Sequence, residues 1–291
     1  MTDVPYVKLS NGVDIPMVGF GSWQGLGSSQ RLTVEENYSL SKSAVEEALK
    51  AGYRSIDTAN GYHNEMAVGD AVVESGIPRE RIFITTKFAT DVEDPEQAYE
   101  LTRTAIENSL KNLKSDYIDL YLVHSPVAQR LAMWKALEEA YKAGKLRALG
   151  VSKFVPRHLD QLIESCEIRP VANQIEHHPY MIKTEVIENS RRHGLLIEAF
   201  SPLMQGQVLL SDPLIRDIAE AHGKTVPQII LRWDLQKGVR AIPKSNNPAR
   251  VRENFNIFDF ELSNDEMESI DALGIKGLSF NPRLASLDNN P

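Results

Sequence analysis

Residues 82–123 read IFITTKFATDVEDPEQAYELTRTAIENSLKNLKSDYIDLYLV, and this stretch contains the repeating unit of the fold. Its two ends, 82–87 and 117–123, are short continuous apolar or mixed runs, the pattern of strands buried on both faces. Between them Leu101, Ala105, Ile106, Leu110 and Leu113 recur at helical spacing. A strand, an amphipathic helix and a second strand make a crossover unit, which parallel strands require and which is right-handed.

The same unit repeats outward in both directions. Further strands are predicted at 18–20, 55–57, 148–151, 172–175, 196–200 and 241–243, which with the first two makes eight. Leu40, Ala44, Val45, Ala48 and Leu49 form a helical stripe, and Gly52 sits where such a helix stops. Leu131, Trp134, Leu137, Ala140 and Tyr141 form another, ended by Gly144. Pro156 opens a helix carrying Leu159, Leu162 and Ile163, and residues 187–192 precede Gly194. Asp212-Pro213 and Thr225-Val226-Pro227 each put Pro near a helix start. Eight such units predict an α/β fold of the closed (β/α)8 TIM-barrel type rather than an open sheet. Residues 7–9 and 15–18 flank Asn11-Gly12, a two-residue hairpin signal, and this N-terminal β-hairpin is expected to plug one end of the barrel. The tail, 277–291, has no period and is expected to be a loop.

A chain of 291 residues is long enough for two domains. No linker or low-complexity stretch interrupts the alternation, so one domain over 1–291 is expected. Apolar residues at 42% and charged ones at 25% fit a soluble globular protein. The lone Cys166 excludes a disulfide framework and a Cys-rich zinc site, and no metal is expected. A net charge of −8 argues against broad nucleic-acid binding. Residues 1–5, MTDVP, lack a basic, apolar leader, and no apolar run approaches the roughly 18 residues of a membrane span. A cytoplasmic protein without nucleic-acid or membrane partners, monomeric or weakly dimeric, is expected.

Active sites of such barrels lie at the C-terminal ends of the strands. The predicted ends carry Asp57, Lys87, His124, Ser152-Lys153, then Asn173, Gln174 and Glu176, then Lys244-Ser245, with Tyr62 in the loop after Asp57. Singly, each has a plain structural role: an interior ion pair for Asp57 and Lys87, packing for Tyr62, a strand-end cap for His124, a solvated charge for Lys244. Their joint placement at one mouth suggests more. A lysine beside a tyrosine favours the phenolate and lowers its pKa, and an aspartate fixes the lysine. A neutral histidine donates a hydrogen bond to a carbonyl oxygen. Such a set polarises a C=O and protonates its oxygen. No side chain carries hydride, so reduction needs a cofactor.

Several of these residues stand in recognisable blocks. Gly52-Tyr53-Arg54-Ser55-Ile56-Asp57-Thr58-Ala59, followed after five residues by Glu65-Met66-Ala67-Val68-Gly69, resembles the first signature of the aldo-keto reductases. Ile242-Pro243-Lys244-Ser245 with Arg250 and Glu253-Asn254 resembles their cofactor signature. Leu122-Val123-His124-Ser125-Pro126 and Asn173-Gln174-Ile175-Glu176 are similar to further family blocks. The resemblance covers about residues 7–273 and is nearest the bacterial branch that includes the 2,5-diketo-gluconic acid reductases. It implies an NADPH-dependent reductase of aldehydes and ketones with a catalytic tetrad of Asp57, Tyr62, Lys87 and His124. Tyr62 would be the general acid, Lys87 its pKa modifier, Asp57 the lysine's partner, and His124 the group that orients the carbonyl. Ser152 and Gln174 would hold the nicotinamide carboxamide of NADPH or NADP+, and Phe200 would stack on its ring, with Ser201 and Leu203 nearby. Lys244, Ser245 and Arg250 would take the 2′-phosphate, and Glu253 and Asn254 would face the adenine. Trp23, together with His124, would line the substrate pocket.

Two positions depart from the family pattern. Phe200 replaces a tyrosine and keeps the stacking face. Lys153 stands where the family has an asparagine that joins the carboxamide contact, and it cannot accept a hydrogen bond. Either it turns away or it attracts an acidic substrate group; turning away is the expectation. The connection after His124 is short, leaving an open pocket suited to small or hydrophilic carbonyls, α-dicarbonyls, keto sugars or keto acids. Phe280 or Arg283 of the tail would reach the substrate, Phe88 and Trp134 being weaker pocket candidates. A nicotinamide-sensing binding protein with little turnover is the alternative, and a cofactor-free lyase or isomerase a third reading. Gly19-Phe20-Gly21-Ser22-Trp23-Gln24-Gly25 and Gly223-Lys224-Thr225 fall short of nucleotide-loop patterns and carry no weight.

Overall fold

The computed structural model describes residues 4–25 and 32–280. Strands β1 (Tyr6–Lys8) and β2 (Asp14–Pro16) pair antiparallel. Eight parallel strands follow in chain order as neighbours: β3 (Phe20–Gly21), β4 (Ser55–Asp57), β5 (Phe83–Phe88), β6 (Leu120–Val123), β7 (Leu149–Ser152), β8 (Ala172–Glu176), β9 (Leu196–Phe200) and β10 (Val239–Ile242). A parallel bridge from Val18 to Ala241 joins the last strand to the first. Gly19 N donates to Ala241 O and Gly21 N to Pro243 O, each at 3.0 Å. The sheet thus curls into a nearly closed (β/α)8 barrel, as expected.

The helices are α1 (Val34–Ala51), α2 (Glu65–Glu74), α3 (Pro95–Leu113), α4 (Arg130–Lys142), α5 (Pro156–Ser165), α6 (Thr184–Arg192), α7 (Pro213–His222), α8 (Val226–Gln236), α9 (Pro248–Phe255) and α10 (Asn264–Ala272). Their ends follow local chemistry. Thr33 and Glu36 form a capping box on α1, and Gly52 closes it at φ 113°, a conformation a side chain resists. Asp212 caps α7 and Thr225 caps α8, each just ahead of the proline that the sequence places there.

The hairpin covers the N-terminal end of the barrel, as predicted. Its Leu9 and Ile15 pack with Phe83, Leu120, Leu122, Ala148, Val171 and Ala172. Some boundaries differ from the sequence reading. Residues 18–19 enter the barrel only through the bridge to Ala241, and residues 117–119 contribute one bridge, Ile118 to Leu146, before β6 begins. Helices α2, α9 and α10 were not foreseen. Only Val251 and Asn254 of α9, and Ile270 of α10, are buried, too little for an apolar stripe. Helix α2 buries small residues, Ala67, Gly69 and Ala71 among them, over most of its surface.

Candidate active site

Asp57 ends β4, Lys87 lies next to last in β5, and both point into the barrel. Lys87 Nζ donates to Asp57 Oδ1 at 2.5 Å, and the lysine side chain is fully buried. Two buried charges this close stabilise each other only if their remaining lone pairs are also satisfied. Asp57 Oδ2 accepts from Gln174 Nε2 at 2.9 Å, and the same amide donates to Glu198 Oε2 at 3.2 Å. Glu198 Oε1 in turn pairs with Arg240 at 2.5 Å, and Arg240 Nε donates to Pro16 O at 2.7 Å. A continuous polar chain therefore runs from the hairpin plug through the barrel interior to Lys87.

Tyr62 sits in a single 3-10 turn, Asn60–Tyr62, directly after β4. Asn37 Nδ2 donates to its carbonyl at 2.9 Å. Asn64 ties the loop to the barrel by accepting from Thr58 Oγ1 at 2.7 Å and donating to Ser22 O at 2.9 Å. The Tyr62 ring centroid lies 5.3 Å from Lys87 Nζ and 5.7 Å from the His124 ring. The Trp23 ring stands 6.4 Å away. Burial, reinforced by the Asp57 charge, pushes the Tyr62 hydroxyl well above the usual phenol range. Burial thus outweighs the lowering expected from the Lys87 ammonium, which is paired with Asp57 at 2.5 Å. Burial, then the charges of Lys153 and Lys87, hold the His124 imidazole well below its ordinary pKa, so the ring is neutral at pH 7.

These groups open onto a cleft of about 930 Å³ at the C-terminal mouth of the barrel. Asp57, Tyr62, His124 and Trp23 line its inner part, while Lys87 lies behind them. Ser152, Gln174, Phe200, Ser201, Leu203, Lys244, Ser245, Arg250, Glu253 and Asn254 also line it. Three features of this wall are compatible with a nicotinamide dinucleotide. The Ser152 hydroxyl is buried without a hydrogen-bond partner, which is unfavourable unless a ligand supplies one. Both N–H groups of Gln174 are spent on carboxylates, which only accept, so its Oε1 remains to accept from a ligand amide. Lys244 donates only to the neutral Gln24 Oε1 at 3.0 Å, and neither it nor Arg250 has an ionic partner among the described residues. Burial brings the Lys244 pKa down to about 8. Ser245 Oγ accepts from Asn247 N at 3.1 Å, and Glu253 Oε1 accepts from Thr225 Oγ1 at 2.9 Å, which fixes both beside these cations.

Lys153 does not turn away. It takes a left-handed conformation, φ 64°, and its side chain lines the cleft. Its Nζ donates to Ser125 Oγ at 3.4 Å and lies 5.9 Å from the Phe200 ring centroid. The positive φ after the Ser152 strand end explains the difference, since it redirects the side chain across the mouth. Asn173 points the other way, donating to Phe154 O at 2.9 Å and Ser190 Oγ at 3.1 Å. Glu176 anchors the tail by accepting from Ser279 Oγ and Phe280 N, each at 2.7 Å. Phe280 lines the cleft, edge-on to Phe200, whereas Arg283 falls outside the described residues. Trp134 is a packing residue, as the stripe on its helix implies, and its Nε1 donates to Ile168 O at 3.0 Å. Phe88 packs against the core.

Two parts of the wall escaped the sequence reading. Gln24 bridges Lys244, Asn246 and Ser41; its only signal was its place just after the first strand. Gln205, Gly206 and Leu210 lie in an irregular segment where Ser201, Met204 and Gln205 all take positive φ. Nothing in their residue types announces that conformation.

A sequence model described as the Aldo/keto reductase family matches residues 17–275. Glyoxal reductase of Bacillus subtilis is 48% identical over 268 residues, covering 92% of each chain. Methylglyoxal reductase DkgA of Escherichia coli is 39% identical over 274 residues, covering 93% of this chain and 94% of its own. Among solved structures, an aldo-keto reductase of Bombyx mori in complex with NADP superposes with a TM-score of 0.88 at 31% identity, covering 100% of this chain and 99% of its own.

Proposed function

The chain belongs to the aldo/keto reductase family, and from that membership we infer an NADPH-dependent reductase of small aldehydes and ketones, α-dicarbonyls foremost. One observation carries the reading. Tyr62, the Lys87–Asp57 pair and neutral His124 converge at the inner end of a cleft whose outer wall holds two cations without ionic partners among the described residues.

When bound, the reduced nicotinamide supplies the hydride for the carbonyl carbon. The remaining work falls to this chain. Neutral His124 donates a hydrogen bond that orients the carbonyl oxygen. Tyr62, fully protonated at neutral pH, gives its proton to that oxygen. Lys87 stabilises the phenolate left behind, and Asp57 holds Lys87 in position. Ser152 and Gln174 would hold the carboxamide, Phe200 would stack on the ring, and Ser201 and Leu203 would flank it. Lys244, Ser245 and Arg250 would take the 2′-phosphate, since guanidinium and ammonium groups suit a dianion. Glu253 and Asn254 would border the adenine.

The substrate class follows from shape and relatives. Few residues separate His124 from α4, so the cleft is open beside Trp23. Relatives named for glyoxal and methylglyoxal support small, hydrophilic dicarbonyls. Lys153 would draw acidic substituents, so Lys153→Asn should lower activity on keto acids relative to methylglyoxal. The test is consumption of NADPH with glyoxal, methylglyoxal and a panel of ketones. Turnover of the dicarbonyls, with NADPH preferred over NADH, is expected. Tight cofactor binding with no turnover of any carbonyl would replace the reductase by a nucleotide sensor.

A further inference from the structure

At the reacting end of the cleft, the Lys153 ammonium forms no ion pair among the described residues. Lys87 is paired with Asp57. Among the described residues the partners of Lys153 are the neutral Ser125 hydroxyl and the face of Phe200. Glu176 borders the same wall and keeps its charge, but its oxygens are held by Ser279 Oγ, Phe280 N and His178 Nε2, and it forms no ion pair with Lys153. Lys153 is also largely shielded from water, which together with Lys87 draws its pKa down to about 8. It still carries its proton at pH 7.

A ligand in this region therefore meets a cation that water screens poorly. On the nicotinamide reading above, on which this inference rests, the ring must lie within reach of a carbonyl held by Tyr62 and His124. Hydride transfer needs near van der Waals contact between the reacting atoms. Ser125 follows His124 directly, and Phe200 forms the adjoining wall, so Lys153 flanks the same space. The reduced nicotinamide ring is neutral, and the oxidised ring is a cation.

We propose that Lys153 makes the cleft discriminate between the redox forms of its cofactor, holding the reduced form more tightly than the oxidised one and biasing the enzyme toward carbonyl reduction. The phosphate and adenine contacts are common to both forms and cancel in the ratio of their affinities. What remains is the interaction of one side-chain cation with a ring that gains a charge on oxidation. Two unit charges a few ångströms apart near a protein surface correspond to a factor on the order of ten or more in affinity. Product NADP+ would then leave readily, and the reverse oxidation of alcohols would start from a weakly held cofactor.

The experiment measures Kd for NADPH and for NADP+ by fluorescence titration in the wild type, Lys153→Met and Lys153→Arg, each first checked for cooperative melting. Met keeps the length and removes the charge; Arg keeps the charge. The ratio of the NADP+ Kd to the NADPH Kd should fall about tenfold in Lys153→Met, mostly through tighter NADP+ binding, and stay within about twofold of wild type in Lys153→Arg. An unchanged ratio in Lys153→Met, or an equal gain for both forms, overturns the proposal. Wild-type protein that binds neither form overturns the nicotinamide reading itself, a result distinct from an unchanged ratio in a protein that binds both.

Discussion

Tyr62 is a weak acid made weaker by its surroundings, so in the proposed reaction its proton is in place for the carbonyl oxygen. Removing only the hydroxyl isolates that role. Tyr62→Phe should lower kcat by roughly 10²–10⁴, the range for a lost general acid, while Kd for NADPH changes by less than about twofold. Loss of cofactor binding instead would move Tyr62 from proton donor to structural support. At the other end of the cleft, Lys244→Ala should weaken NADPH on the order of tenfold or more and leave NADH nearly unaffected, because only NADPH carries the 2′-phosphate. Equal losses, measured by titration with each cofactor, would remove Lys244 from phosphate recognition. Lys153 has a cost in stability as well. An unfolded lysine titrates near pH 10.4, and Lys153 titrates at about 8. Below pH 8 both states are charged and the fold bears the full burial penalty. Between about 8 and 10.4 the unfolded chain keeps a proton that the folded chain has lost, so this group makes stability rise with pH across that window. Lys153→Met should therefore raise stability at pH 7 by roughly 1–3 kcal/mol, and the gain should shrink as pH climbs toward 10. Chemical unfolding of both proteins at pH 7 and pH 10 checks the sign.

At the level of elements, legibility tracked the strength of the apolar stripe. Helix α3 buries Ala98, Thr102, Ala105, Ile106, Ser109 and Leu113 along one face, and its pattern stands out in the chain. Helices α9 and α10 bury almost nothing apolar, so their existence depends on Asn247 and Ser263 as caps rather than on periodicity. Helix α2 was hidden by its small residues, which let it lie close to α3. A Cβ added at Gly69 would sit 2.8 Å from Leu113 Cα and closer still to the Asn112 carbonyl oxygen. Both are backbone atoms and cannot rotate aside. Gly69→Ala, a change that favours an isolated helix, should destabilise this protein by about 1–3 kcal/mol. An unchanged urea midpoint would show that α2 and α3 can separate freely. Because α2 follows the Tyr62 loop, some loss of kcat should accompany the lost stability.

The molecule as a whole links its plug to its chemistry. Pro16, Arg240, Glu198, Gln174, Asp57 and Lys87 form one buried polar path from the closed end of the barrel to the mouth. Glu198→Ala would leave Arg240 buried without its counter-charge and Gln174 with one carboxylate fewer. It should cost about 3–5 kcal/mol of stability and lower kcat through a looser Asp57, with a smaller effect on NADPH binding. Stability and kcat both unchanged would break the link between the two ends. The family blocks around Asp57, His124, Gln174 and Lys244 lie where strands end, and strand ends are local, so the barrel and many of the residues at its mouth were readable from the sequence, while the roles proposed for them came from the family resemblance. The periods of the strands and helices, the hairpin turn and the proline and glycine stops depend only on neighbours along the chain. The direction of Lys153, the pairing of Lys87 with Asp57, and the bridging by Gln24 depend on residues far apart in sequence. Charge balance and burial are sums over everything that surrounds a group, and only the closed barrel decides what surrounds it.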